Sequence, residues 1–400
     1  MFFIAFRGCS QKEGTMTAEK RLLLFLLSTA HSLNHSFFLV LPPLIPLILE
    51  ATGASIQGLS LATSAGYIVY GVGALVGGTL SDRIREKSVI ILSLGLSGLS
   101  TIIIYAYPTI LGLGAGFFLI AIWASLYHPT ANSMISKIYT SDTAATMGIH
   151  GAAAGLGQAL TPFAATLVGL TFGWQSAFLL FGAIAVVVSL FFSRVTSEKS
   201  NPTKQFHYGG LVKEAFHTRE IWILFISSIF GGLLFRGLEF ILPTFLVKGR
   251  GLSVEMAGLV SSLVLAFSVV GQLLGGRYAD RVGGRRILIL SGAGSVIGLL
   301  FLLSFSNLFV GLAAFTIIYG VFHFARQPAS TSLAAIYTRE EIRGAIYGVM
   351  FFMTYGVGSF SVAITGYSAD NLGLDFTVIL LLTYTMIAMI ASMLLPKNSK

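Results

Sequence analysis

Polar residues with chemical capacity recur at helical spacing inside otherwise apolar stretches of the chain. His31, Asn34 and His35 stand at positions i, i+3 and i+4, which places them on one face of an α-helix. Arg236 and Glu239 share a helix face in the same way. Histidines change charge near neutral pH, carboxylates exchange protons, and guanidinium groups bind anions. These residue types predict a site that handles protons and a charged ligand.

The composition decides which elements must hold these residues. Hydrophobic residues make up 55% of the 400-residue chain and charged residues only 10%, against roughly 25% in soluble domains. The mean hydropathy is +0.84. We therefore expect an integral membrane protein, in which the net charge of +9 reflects basic loops and not a nucleic-acid partner. The single cysteine, Cys9, excludes an intrachain disulfide and a cysteine-based metal cluster.

Twelve apolar runs are long enough to cross a bilayer as helices, which predicts an all-α membrane fold. The first six runs cover residues 22–49, 56–80, 88–106, 109–137, 143–170 and 174–193. The second six cover residues 221–247, 254–276, 287–305, 308–336, 343–369 and 374–395.

The basic residues orient these spans. All but four of the 25 basic residues fall on one side of the predicted membrane, which the positive-inside rule assigns to the cytoplasm. The exceptions are Lys248 and Arg250 in an opposite loop, and Arg236 and Arg326 within helices. We expect a monomer in the cytoplasmic (inner) membrane with both termini in the cytoplasm. The apolar stretch before Met16 is too short for a signal peptide, so we expect the functional start at Met16.

The chain contains two copies of one six-helix plan. The segment GTLSDRIREK follows the second predicted helix, and GRYADRVGGR follows the eighth. Pro129 and Pro328 occupy matching places in the fourth and tenth helices. The predicted division is a tail (1–20), a six-helix bundle (21–193), a cytoplasmic linker (194–220), a second six-helix bundle (221–395) and a tail (396–400). Two such repeats are typical of secondary transporters that rock one bundle against the other.

The segment GTLSDRIREK, with its echo after the eighth helix, resembles the signature loop of the major facilitator superfamily. Arg85 and Glu86 depart from that loop's usual glycine and second basic residue. The segments HSLNH with LPPLIPLI, and LYHPTANSMISKIY followed by MGIHGAAAGLGQALTP, resemble its fosmidomycin-resistance-type efflux branch. The resemblance implies two pseudo-symmetric bundles that work by alternating access, with helices one, four, seven and ten around a central cavity.

The signature loops predict a gate. A carboxylate at a helix end accepts hydrogen bonds from a neighbouring helix N-terminus and pairs with a basic residue. We expect Asp82 to meet the start of the eleventh helix near Arg343, and Asp280 to meet the start of the fifth helix near Lys137. The alternative is that these residues only set the topology. The gate also includes the adjacent basic residues Arg83 and Arg281.

Charged residues deep in the membrane mark a pathway because they are costly in lipid. Glu239 is the one carboxylate predicted to lie deep within a span and not at its end, so it is our candidate proton carrier. A permanent Arg236–Glu239 ion pair is the alternative, and Arg326 has the alternatives of binding an anion or pairing with Glu239. The further proton-coupling candidates are His31, His35 and His128, and the predicted substrate-binding residues are Arg236, Arg326, Asn34, Tyr127, His323, Gln327 and Gln158.

The same histidines also have the spacing of metal ligands, but no carboxylate or thiol accompanies them on their helices, so we expect no metal site. No nucleotide-binding loop or catalytic elbow is present, which predicts a protein that is not an enzyme, needs no cofactor and uses an ion gradient. The expected function is proton-coupled efflux, by antiport, of small anionic or amphiphilic compounds. The alternative is proton-coupled import or exchange of an organic anion.

Overall fold

The structure is a computed structural model that describes residues 17–81, 84–140, 143–195, 216–304, 308–339 and 342–397. Every regular element within these ranges is helical. Most of the predicted linker and tails lie outside the described residues, so the predicted domain boundaries stay predictions.

The described part of the chain forms fifteen α-helices and two short π-helical turns. The first half holds α1 (Ala18–Leu39), α2 (Leu41–Thr52), α3 (Ile56–Ser81), α4 (Glu86–Ala106), α5 (Ile110–Ala124), α6 (Tyr127–Ile138), α7 (Thr143–Phe172) and α8 (Trp174–Arg194). The second half holds α9 (Arg219–Thr244), a π-helical turn (Phe245–Gly249), α10 (Val254–Val282), α11 (Gly284–Ser304), α12 (Leu308–Tyr337), α13 (Arg343–Phe351), a second π-helical turn (Phe352–Val357), α14 (Phe360–Asn371) and α15 (Leu374–Met393).

Several of these helices join end to end into a single membrane pass. Helices α1 and α2 meet at Val40, because Pro42 and Pro43 lack the N–H groups that a continuous helix needs. Helices α5 and α6 form one pass, and so do α13 and α14 with the π-helical turn between them. Twelve passes result. Eleven are long and apolar enough to span a membrane, and the other is the 26-residue α3, which confirms the predicted all-α membrane fold.

The helix ends differ from the sequence prediction where polar residues extend a helix beyond its apolar run. Helix α1 begins at Ala18, four residues before the predicted start, because the Thr17 side chain accepts a hydrogen bond from the Lys20 amide (3.3 Å). Helix α10 continues to Val282 through polar residues beyond the predicted end at 276. Hydropathy locates the apolar core of a helix and not its capped end.

Glycines shape the same turn in both repeats. Gly173 precedes the sixth pass with φ 88°, and Gly373 precedes the twelfth with φ 92°. This left-handed backbone region favours glycine because a side chain would be strained there. The repeated turn confirms the two-fold plan at the level of backbone geometry.

Both ends of the described chain lie on one face of the bundle, which we call the terminal face. The Tyr139 hydroxyl donates to the Lys20 carbonyl (2.6 Å), which joins the start of α1 to the end of α6. Arg285 donates to the Met393 carbonyl (2.9 Å), which joins the start of α11 to the end of α15. The other end of the bundle carries short connections, and we call it the short-loop face.

The two halves pack against each other toward the short-loop face. There the backbone N–H of Gln57 donates to Asp370 Oδ2 (2.7 Å), and the backbone N–H of Phe163 donates to Ser262 Oγ (3.0 Å). Gly258 packs so closely on Thr166 that an added Cβ would lie 2.3 Å from its hydroxyl oxygen.

The halves stand apart toward the terminal face. A Cβ atom added at any of four glycines near that end of α7 and α13 would meet no described atom within 4 Å: Gly148, Gly151, Gly344 and Gly348. The described residues therefore leave open space beside α7 and α13 at the terminal face, and we interpret the structure as one state of a two-bundle protein, open to that face.

Candidate functional site

A cavity of about 280 Å³ lies in the second half of the molecule, against α9, α12 and α13. Arg326, Gln327 and His323 of α12 line one wall. Phe235 of α9 and Tyr355 of the second π-helical turn line the facing walls. Three of the predicted substrate-binding residues thus border one cavity.

Arg326 supplies the positive charge of this cavity. Its Nη2 atom donates to the Ser227 carbonyl (2.6 Å) and to Ser227 Oγ (3.0 Å), which holds the guanidinium group in place. No carboxylate pairs with it in the described part of the chain, so the expected alternative of an Arg326–Glu239 pair is absent in this state. An arginine that is anchored but not neutralised can bind an anion.

Gly231 makes room for that arginine. A Cβ atom at Gly231 would lie 1.2 Å from Arg326 Nη1 and 2.2 Å from Cζ, far inside van der Waals contact. The position of the guanidinium group therefore depends on the absence of a side chain one turn after Ser227. The sequence shows the pair Gly231-Gly232 in an apolar helix. This pair indicates a place for the Arg326 side chain only once the structure shows that Arg326 packs there.

Arg236 and Glu239 form an ion pair with 2.6 Å between Nη1 and Oε2. Their side chains are only 5% and 9% exposed, so the pair is largely shielded from water. The Arg236 guanidinium lies 5.0 Å from the centre of the Tyr355 ring and 5.3 Å from that of Tyr67. Because Tyr67 belongs to the first half, the pair lies where the two halves meet.

Glu239 also borders a second, smaller cavity of about 40 Å³ with mostly apolar walls. Pro42 and Pro162 of the first half face Leu242 and Tyr319 of the second half across it. The carboxylate thus lies between the larger cavity and the closed contact between the halves. This is the place where a change in its charge can affect both ligand binding and bundle contact.

Four histidines gather in the first half. The ring centres of His31 and His128 are 4.9 Å apart, and those of His31 and His35 are 5.1 Å apart. His150 of α7 stacks on His31 at 4.1 Å. The sequence predicted the shared face of His31 and His35, while the approach of His150 from another helix depends on tertiary packing.

Of the other predicted substrate-binding residues, Asn34 and Tyr127 have structural partners in this state. Asn34 is 1% exposed, and its amide group donates to the Ala124 carbonyl (2.8 Å). The fully buried Tyr127 donates to the Leu27 carbonyl (2.6 Å). Gln158 is half-buried on α7, next to Gly157, which packs on Ser32. A substrate role for these three residues stays a prediction.

Lys137 contacts a different partner from the one expected for the gate. Its Nζ lies 2.5 Å from Glu86 Oε1 within the first half, and not against Asp280 of the second half. Arg343 likewise donates to the Ala335 carbonyl of its own half (3.2 Å). The reason is that the halves are separated at the terminal face.

Of the remaining gate residues, only Asp280 and Arg281 belong to the described part of the chain, and neither bridges the halves in this state. Asp280 and Arg281 are exposed at the end of α10, and Asp82 and Arg83 lie outside the described residues. Pairing across the gate in the opposite state stays a prediction.

Sequence comparison agrees with this architecture. The family described as "Major Facilitator Superfamily" matches residues 24–363 and 246–400. A probable sulfoacetate transporter of Cupriavidus necator is 27% identical over 287 residues, which cover 67% of this chain and 64% of that protein. A hexuronate transporter of Bacillus subtilis is 22% identical over 381 residues, which cover 88% of each protein.

A solved structure shares the fold. The inward-facing, occupied form of a bacterial homologue of the human lysosomal transporter Spinster superposes with a TM-score of 0.81 at 16% sequence identity. The match covers 95% of this chain and 97% of that one. The matched regions thus extend over both halves of the molecule.

Proposed function

The chain belongs to the major facilitator superfamily, whose members are membrane transporters and not enzymes, and from that premise we propose that it moves a small organic anion together with a proton. Transport proceeds by alternating access, in which the cavity opens to one face at a time. In this proposal the basic terminal face lies in the cytoplasm, so the open face of the cavity is the inward one. An inward proton gradient then drives uptake of the anion.

The proposal rests on two arginines near the large cavity, one that lines it and one that is bound to a carboxylate beside it. Arg326 faces the cavity without a described carboxylate partner, and Arg236 is held by Glu239 at 2.6 Å. Two guanidinium groups on neighbouring helices form a binding surface for a carboxylate, sulfonate or similar group. The relatives named for sulfoacetate and hexuronate transport carry substrates of this charge, which supports the proposed class.

The ion pair couples the anion to the proton. When Glu239 is ionised it occupies Arg236, so an anion must compete with it. When Glu239 is protonated, Arg236 is free to contact the anion together with Arg326. Proton and anion therefore bind cooperatively, and two ligands that favour each other's binding at one site are carried in the same direction.

This sign of coupling separates the two transport hypotheses. Antiport requires that the binding of the proton and the binding of the substrate exclude each other. An anion bound to Arg236 does not exclude the proton on Glu239. Efflux by antiport, the first expectation from the sequence, instead suits an amphiphilic substrate that binds to the Glu239 carboxylate in place of the proton. It remains the second candidate, supported by the resemblance of the first and fourth helices to an efflux branch.

Proteoliposomes containing a trapped pH indicator test the proposal. We expect sulfoacetate or a hexuronate, added outside at neutral pH, to enter and acidify the lumen. Alkalinisation of the lumen during entry of the anion would establish antiport instead. If no carboxylate, sulfonate or phosphonate in a panel moves protons in either direction, the proposed substrate class is wrong.

A further inference from the structure

We propose that His31, His35 and His128 of the first half form a binding site for a divalent late first-row transition metal ion such as Zn²⁺, Ni²⁺ or Co²⁺. One ring nitrogen from each histidine lies within 4.8 Å of those of the other two. In a tetrahedral zinc site with Zn–N bonds of about 2.0 Å, neighbouring nitrogens lie roughly 3.3 Å apart. Small side-chain rotations therefore bring the three nitrogens to bonding distance.

Hydrogen bonds fix the tautomer of His31. Its Nδ1 lies 3.0 Å from the His150 carbonyl oxygen, which can only accept, so Nδ1 carries the proton. The lone pair of the neutral ring is therefore on Nε2. Metal-binding histidines characteristically donate their other ring N–H to a backbone carbonyl or carboxylate in this way.

A longer chain of hydrogen bonds fixes His128. The Asn34 amide group donates to the Ala124 carbonyl (2.8 Å), so Asn34 Oδ1 accepts from the Tyr70 hydroxyl (2.8 Å). Tyr70 has then used its only proton, and its oxygen accepts from His128 Nε2 (2.8 Å). This leaves the lone pair of the neutral His128 ring on Nδ1. Two of the three rings are thus preorganised as ligands by their outer partners.

A fourth histidine shows that the cluster holds polar atoms without protein partners. His150 is 2% exposed, and neither of its ring nitrogens has a hydrogen-bond partner in the described structure. Unpartnered buried nitrogens are costly, because each has lost water without gaining another contact. His150 stacks on His31, so its ring nitrogens lie beside the proposed site. This observation is independent of the spacing of the other three rings.

The chemistry of the cluster selects the class of ion. Neutral imidazole nitrogens suit zinc, copper, nickel and cobalt, whereas magnesium and calcium prefer oxygen ligands. Three nitrogen ligands leave a fourth position for water or a small anion. An anion at that position would also offset the positive charge of the metal ion. His35 and His128 are only half-buried, and His128 contacts Phe351, which lines the large cavity, so such a ligand can reach the site.

The site explains polar residues that the anion pathway does not use. Asn34 and Tyr70 are largely buried and engage each other, and their arrangement serves to hold His128. The sequence alone predicted no metal site because neither a carboxylate nor a thiol accompanies the histidines. In the structure, α1 and α6 together bring three imidazole rings to one place, which neither helix does alone.

Direct metal binding by the full chain tests this proposal. The protein is purified without a polyhistidine tag, freed of metal with a chelator and titrated with Zn²⁺ and with Co²⁺. We expect one equivalent to bind and the Co²⁺ form to show the intense visible absorption of a four-coordinate site. Failure of the wild-type protein to bind either ion at micromolar concentrations would overturn the proposal.

Variants locate the ion. His35→Asn is expected to lower Zn²⁺ affinity by at least about tenfold, because loss of even an outer hydrogen-bond partner of a ligand costs about 10- to 100-fold. The matched control is His217→Asn, which changes an exposed histidine in the segment before α9 and leaves the affinity unchanged. Equal affinities of the two variants would place the ion elsewhere and contradict the assignment. If His35→Asn does not fold, His128→Asn takes its place, and the Co²⁺ spectrum of the wild-type protein decides the coordination without any variant.

Discussion

The Arg236 guanidinium and the Glu239 carboxylate lie 2.6 Å apart, one helical turn from each other on α9, where the two halves of the protein meet. The pair faces Tyr67 of the first half and Tyr355 of the second half. An ion pair in this position responds to both ligand and bundle movement. It is therefore the centre of the proposed coupling between proton and anion.

Replacing Glu239 by Gln removes the proton carrier while keeping the side chain's shape. We expect uphill, proton-driven anion uptake to fall by at least about tenfold, while exchange of anion across the membrane continues, because Arg236 stays free. The control is Glu255→Gln, an exposed carboxylate at the start of α10. Undiminished gradient-driven uptake by Glu239→Gln would eliminate this residue as the coupling group.

Replacing Arg326 by Ala removes the anchored charge of the large cavity. A hydrogen bond to a charged group contributes about 1.5–3 kcal/mol, so we expect anion affinity to fall by roughly 10- to 150-fold. Titration calorimetry or a thermal-shift series measures the change. Arg286→Ala, at an exposed position on the terminal face, is the matched control. Equal affinities in the two variants would remove Arg326 from the site.

Replacing Gly231 by Ala displaces Arg326 without touching its charge. The new Cβ would lie 1.2 Å from Nη1, so the guanidinium group must leave its contacts with Ser227. We expect a loss of anion affinity close to that of Arg326→Ala. At Gly276 an added Cβ meets only Pro328, at an ordinary 3.6 Å, so Gly276→Ala should bind the anion normally. Normal binding by Gly231→Ala would show that the observed position of Arg326 is unimportant.

Replacing Asp370 by Ala weakens the closed contact at the short-loop face. Asp370 Oδ2 accepts a hydrogen bond from the backbone N–H of Gln57 at 2.7 Å, so a carboxylate of the second half caps the N-terminus of α3 in the first half. Loss of a cap costs about 1 kcal/mol, which shifts a two-state equilibrium about fivefold. Distances between spin labels across the short-loop face should show more of the state open to that face. Asp375→Ala, which breaks a contact within the second half, should leave the distribution unchanged.

Much of the fold follows from the sequence because lipid imposes simple rules. Each apolar run must close its own backbone hydrogen bonds, so its length predicts a helix. The matching prolines and signature segments predict the two-fold plan, and the repeated turns at Gly173 and Gly373 agree with it.

The site was predictable in its residue types but not in its contacts. Spacing on one helix predicts that Arg236 can reach Glu239, and the structure confirms that contact. No spacing rule predicts that Ser227 and Gly231 hold Arg326, or that His150 stacks on His31, because these contacts join separate helices. Lys137 shows the same limit, since its contact with Glu86 also joins two helices and no spacing rule predicts it.

The coupling of proton and anion at Glu239 can be measured as the number of protons that the purified protein takes up when it binds an anion. Calorimetric titration with sulfoacetate or a hexuronate at about pH 8, in two buffers of different ionisation enthalpy, gives this number. We expect the wild-type protein to take up close to one proton and Glu239→Gln to take up none. Release of a proton on anion binding, or the same uptake by both proteins, would contradict it.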